Sequence, residues 1–103
     1  LLMVADTDTS LGVSGLGDFT MDANGRLARR APARVTPFIY AGVCLVSPRL
    51  FKAAPARQRF SMNLLWDRAL DNGRLFGLLH EGVWMHVGDA VAVAAAEKLI
   101  SGR

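Results

Sequence analysis

The sequence predicts an α/β domain, with α+β as the alternative, and three observations carry that prediction. Short apolar runs bounded by Gly, Pro and Asn read as strands, two later stretches carry helical spacing, and both kinds of signal recur along the chain. The 103 residues make at most one small domain, and an apolar content of 51% excludes a disordered tail. No fixed-period repeat or low-complexity stretch interrupts it.

Leu1 to Ala5 opens the sequence as an apolar run without a methionine start and reads as a buried strand. Such a strand pairs on both sides, so the expectation is a piece of a longer chain that supplies half of its neighbours. The loop Leu11-Gly12-Val13-Ser14-Gly15-Leu16-Gly17 lacks the Lys-Ser/Thr and the following helix of a phosphate loop. It reads as a flexible loop whose glycines permit close approach of a ligand or another backbone. Phe19 and Met21 then alternate with polar residues, and Asn24-Gly25 is a pair favoured in tight turns, which together predict a hairpin.

Prolines 32 and 37 flank an extended connector, after which Phe38 to Val46 reads as a long strand covered on both faces. Gly42 within it weakens packing, and such a glycine marks a bulge or a ligand lying against the backbone. Ser47-Pro48 caps a short helical turn through Phe51. Ser61 is the expected N-cap of a helix from Met62 to Asn72, with Phe60 stapled to Leu65 and Gly73 as terminator. Strands are expected over Arg74 to Glu81 and Val83 to Val87. Asp89 then caps a helix with Val91, Ala94, Ala95, Lys98 and Leu99 near one face.

Composition narrows the function classes. No apolar run reaches the roughly 20 residues of a membrane span, and no signal-peptide pattern is present, so the expectation is a soluble, cytoplasmic protein without a membrane partner. Cys44, the single cysteine, has no disulfide partner and reads as core. Eight of the twelve basic residues fall between Arg26 and Arg59, Arg57 among them. A solvated face is the bland explanation and attraction of phosphorylated ligands the functional one; nucleic acid is not expected as a partner. The stretch Trp84-Met85-His86-Val87-Gly88-Asp89 is a strand end running into a helix N-terminus, an edge suited to anions. His86 points into that edge or just beneath it, whereas His80 reads as structural or exposed.

Six short motifs then stand in order: Gly17-Asp18-Phe19 with Asp22-Ala23-Asn24-Gly25-Arg26; Tyr40-Ala41-Gly42-Val43; Pro48-x-Leu50-Phe51; Phe60-x-x-Asn63-Leu64-Leu65; Gly73-Arg74-Leu75; and Trp84-x-x-Val87-Gly88. This set resembles the sugar-1-phosphate nucleotidyltransferases, in particular the short N-acetylmuramate-1-phosphate uridylyltransferase and mannose-1-phosphate guanylyltransferase-like group. The resemblance implies the C-terminal part of a nucleotide-diphospho-sugar transferase, a Rossmann-like three-layer α/β fold with a mixed sheet. Residues 1–103 would be its sugar-binding half, with the nucleotide-binding half absent. The implied reaction transfers a nucleoside monophosphate from a nucleoside triphosphate to a sugar 1-phosphate and releases pyrophosphate with Mg2+ assistance. The half alone would be inactive.

On the same resemblance, Gly17, Tyr40, Gly42 and Trp84 would bind substrate, and no residue of this half is assigned a catalytic role. His86 and Asp89 would stand at the metal position, His86 where the family usually has aspartate. Neutral imidazole suits magnesium poorly. Three readings stay open: His86 contacts phosphate or a softer metal, Asp89 takes over part of the charge, or catalysis is lost. The alternatives of other classes are a non-catalytic sugar-nucleotide-binding or regulatory protein and a packing or homo-oligomerising unit that buries Leu65, Trp66 and Phe76.

Overall fold

The computed structural model describes residues 1–13, 15–55 and 58–102; Ser14 of the glycine loop and Arg57 of the basic stretch lie outside the described residues. Five strands form one mixed sheet: β1 (Leu2–Asp6), β2 (Phe19–Met21), β3 (Leu27–Arg29), β4 (Phe38–Cys44) and β5 (Gly77–Leu79), in the order β3-β2-β4-β1-β5. Two helices accompany them, α1 (Asn63–Asp71) and α2 (Ala90–Ser101), with a 3-10 turn over Pro48–Ala53. The architecture is therefore α/β.

β1 runs antiparallel to β4 and parallel to β5, so both of its neighbours belong to this chain. That corrects the expectation that half of them come from elsewhere. Leu2 and Val4 are fully buried and join Phe19, Leu27, Trp66 and Leu75 in the core, which α1 closes from one side. Leu65 and Trp66 are buried there too, and Phe76 is half-buried beneath the Arg26 guanidinium, 5.6 Å from its ring centre. Burial within the chain leaves the first two unable to form a dimer face.

The hairpin forms as expected, but its turn differs. Met21 pairs with Leu27 across five residues, and only Gly25 takes a positive φ, +83°. Asp22 replaces the two-residue turn, because its Oδ1 accepts the amides of Asn24 and Arg26 at 2.8 and 2.9 Å. The ends of α1 are also locally written. Ser61 Oγ accepts the Asn63 amide at 3.2 Å, and Gly73 at φ +65° ends the helix in a Schellman arrangement. In it the Gly73 and Arg74 amides donate to Leu70 and Ala69. Phe60 stays exposed instead of stapling.

Three strand expectations shrink. β4 stops at Cys44, β2 pairs with it only at Phe38, and Val43 and Leu45 are 56% and 72% exposed. Arg74 to Glu81 is a strand only over Gly77–Leu79. Val83 to Val87 is not a strand: Met85 makes a single parallel bridge to Leu11, since Gly12 at φ +81° turns the partner away. On α2 the buried residues are Ala92 and Ala96, not the face around Val91, which is 79% exposed. Cys44 is half-buried instead of fully buried. Among the described residues no helix is long and apolar enough to cross a membrane.

Candidate functional site

The site begins with a fault in the sheet. Leu2 pairs with Cys44 and Val4 with Tyr40, so residues 41–43 of β4 stand opposite the single residue Met3. Gly42 sits at the middle of this bulge with φ +91°, a conformation that side chains disfavour. The bulge turns the Ala41 carbonyl out of the ladder, where it accepts the Trp84 indole N–H at 3.2 Å. A Cβ added at Gly42 would meet no atom within 4 Å, so open space lies against the backbone there.

Trp84 is thereby fixed as a wall. His86 stacks beside it, ring centres 6.2 Å apart and planes at 22°. The His86 amide donates to the Leu11 carbonyl at 2.8 Å and the Leu11 amide to the Trp84 carbonyl at 3.0 Å, which anchors this wall to the glycine loop. Gly12 lets the loop pass: a Cβ there would overlap the His86 carbonyl oxygen. Gly17 does the same against Thr36, whose buried hydroxyl donates to Leu16 at 3.2 Å. The close approaches of these two glycines are thus to the protein's own backbone.

Between these walls lies an open cleft of about 560 Å³, lined by Gly17, Tyr40, Gly42, Trp84 and His86 among others. The structure brings together these five residues that the sequence singled out. Asp89 is not among them. Its Oδ1 accepts the Ala92 amide at 2.7 Å as the cap of α2, and it faces a neighbouring hollow of about 450 Å³ that shares His86 with the cleft. The exposed His86 ring folds toward Gly88, where a Cβ would come within 2.8 Å of Nε2. His80 is half-buried, with Nε2 3.4 Å from the Val83 carbonyl oxygen.

Asp18 is a lining residue that the sequence reading passed over. Its Oδ2 accepts the Tyr40 amide at 3.0 Å, and it is the only carboxylate lining the cleft among the described residues. Its place between Gly17 and the first hairpin strand was the available signal. Among the described residues no Lys or Arg lines this cleft, so it is suited to a hydroxyl-rich, largely uncharged ligand surface. Part of the basic stretch is spent on structure: Arg29 donates to Asp67 at 2.9 Å and to Asn63 at 3.1 Å and lies over the Phe19 ring.

The donor set does not fit magnesium. Among the described residues no group of three or more His, Cys, Asp or Glu could hold a metal ion. His86 offers nitrogen where Mg2+ demands near-octahedral oxygen, and Oδ1 of Asp89 is engaged in capping.

Tyr40 gives the site a spectroscopic handle. Burial pushes its phenol up to about 12, and the hydrogen bond and nearby charge of Cys44 push the same way. It also meets Trp66 edge-on, centres 6.1 Å apart. Tyr40 is the chain's one tyrosine, so the phenolate absorbance near 295 nm should appear with a midpoint near 12 in the folded chain and about 10 in denaturant. The folded state holds the proton more tightly, so stability linked to it is fully present below pH about 10 and is lost as pH rises toward 12. A folded-state midpoint at 10 would show the ring to be solvated.

No protein-family model matches the chain. It is similar to the N-acetylmuramate alpha-1-phosphate uridylyltransferase of Caulobacter vibrioides, 38% identical over 96 residues, or 93% of this chain. The chain spans 39% of the length of that protein.

Proposed function

We propose that this chain forms the sugar-holding part of a sugar-1-phosphate nucleotidyltransferase with a Rossmann-like three-layer fold. The whole protein would transfer a nucleoside monophosphate from a nucleoside triphosphate to a sugar 1-phosphate and release pyrophosphate. One observation carries the reading: Gly17, Tyr40, Gly42, Trp84 and His86 line a single cleft, with no basic side chain among the described residues that line it. The similarity to a uridylyltransferase supports the reaction class.

In this reading the Trp84 ring, with His86 stacked beside it, takes the C–H face of a pyranose. Asp18, with lone pairs beyond the one given to the Tyr40 amide, accepts sugar hydroxyls. Gly42 keeps the opposite wall free of a side chain. In-line attack of the sugar phosphate on the α-phosphorus depends on positioning and charge neutralisation. This chain contributes the positioning; with no Lys or Arg among the described residues that line the cleft, cations from outside it neutralise the triphosphate.

The test is pyrophosphate release by the full-length protein with UTP and N-acetylmuramate α-1-phosphate, compared with GTP and mannose 1-phosphate. Trp84→Ala should raise KM for the sugar phosphate about tenfold, the upper end of what an aromatic face contributes, and leave KM for the nucleotide unchanged. Equal effects on both KM values would remove the sugar from this cleft.

The donor set at His86 and Asp89 favours one second reading, a sugar-nucleotide-binding or regulatory protein on the same scaffold. It expects binding without turnover, and a gain of magnesium dependence in His86→Asp, because that change adds a hard oxygen donor beside the cleft. Full magnesium-dependent activity with His86 in place would rule it out.

A further inference from the structure

A second hollow lies away from the cleft, where the 3-10 turn, the last turn of α1 and Arg74-Leu75 meet; it encloses about 310 Å³ and shares no lining residue with the cleft. Its apolar lining includes Leu50, Leu75 and Trp66, and among the described residues its basic lining is Arg49, Arg68 and Arg74, without an Asp or Glu. The guanidiniums of Arg49 and Arg74 make no hydrogen bond or ion pair among the described residues, in contrast to Arg29, which Asp67 and Asn63 hold. Arg49 and Arg74, two such cations at one small concavity, repel each other unless an anion is shared between them. Guanidinium forks match phosphate and carboxylate oxygens, and the volume is at the lower end for a small-molecule site, room for about one ring.

We propose that this hollow binds a small amphipathic anion, a ring bearing one phosphate or carboxylate, with the charged group on Arg49 and Arg74 and the ring against the apolar floor. The site is independent of the cleft and of the reaction proposed for it. Phenyl phosphate is the probe, titrated calorimetrically into the full-length protein, with inorganic phosphate as the charge-only comparison. Saturable one-to-one binding is expected, weakened tenfold or more in Arg49→Gln/Arg74→Gln and unchanged in Trp84→Ala. Inorganic phosphate should bind at least tenfold more weakly than phenyl phosphate.

Absence of saturable binding, unchanged affinity in the double variant, or loss in Trp84→Ala would overturn the assignment. Equal affinity for inorganic phosphate would overturn the apolar half of it. Both arginines are exposed, so the double variant should melt with the wild type. If it melts lower, Arg49→Lys/Arg74→Lys decides: affinity between wild type and the glutamine variant supports the site, and affinity equal to the glutamine variant overturns it, because lysine keeps the charge and loses only the fork.

Discussion

Gly12→Ala is expected to destabilise the fold by about 3 kcal/mol or more, whereas Gly15→Ala, three residues along the same loop, should stay within about 0.5 kcal/mol. Gly12 has φ +81°, where an alanine is strained, and its added Cβ would overlap the His86 carbonyl oxygen. Gly15 has neither problem, since a Cβ there meets no atom within 4 Å. The pair separates glycine required by geometry from glycine that is merely permitted. For a domain of this size about 3 kcal/mol corresponds to a fall in Tm of roughly 12 °C or more, readily seen by circular dichroism. The variant should also lose sugar-phosphate affinity, because the Leu11–His86 pairing that fixes one cleft wall runs past Gly12. Equal melting of the two variants would mean that the loop does not pass His86 as described.

Trp66→Ala should cost about 3 to 5 kcal/mol in urea unfolding, the range for removing a buried aromatic side chain. Trp66 is 4% exposed and lies among Leu2, Val4, Phe19, Leu27 and Leu75, so its loss opens a cavity at the centre of a small core. Small domains hold only about 5 to 15 kcal/mol in total, and a large part of that would go. The same variant removes the edge-on neighbour of Tyr40, and the phenol should titrate closer to its ordinary value as water enters. Trp66→Phe keeps most of the buried surface and should recover most of the stability. A cost below about 1 kcal/mol for the alanine variant would place the core elsewhere.

What could be read in advance divides along a physical line. Asp89 as the cap of α2, Ser47 as the cap of the 3-10 turn and Gly73 as the end of α1 all appear as the residues suggest. Each depends on hydrogen bonds within a few positions and on the φ that one residue tolerates. The apolar run Val83 to Val87 carries an equally clear strand pattern and yet makes one bridge, because its partner at Leu11 turns away after a single residue. The buried face of α2 is set for a related reason. A helix rich in Ala and Val offers several apolar stripes, and only its neighbours select the one through Ala92 and Ala96.

The cleft shows both sides of this division. Gly42 could be recognised as a glycine needing a reason, but the reason, two extra residues of β4 opposite Met3, exists only once β1 is paired. Asp18 carried only a positional signal beside Gly17, and the contact that aims its carboxylate, with the Tyr40 amide, spans 22 positions.

By itself the sequence determined the α/β class, the hairpin at Gly25, the helix ends and the set of residues worth watching, because backbone conformation and capping are settled within a turn or two of chain. Only the tertiary structure decided that β5 lies parallel beside β1, that β4 bulges at Gly42, and that Tyr40, Trp84 and His86 share one cleft. Those outcomes depend on pairing and packing between segments tens of residues apart, where many registers satisfy the same local pattern and the burial of one common core selects among them.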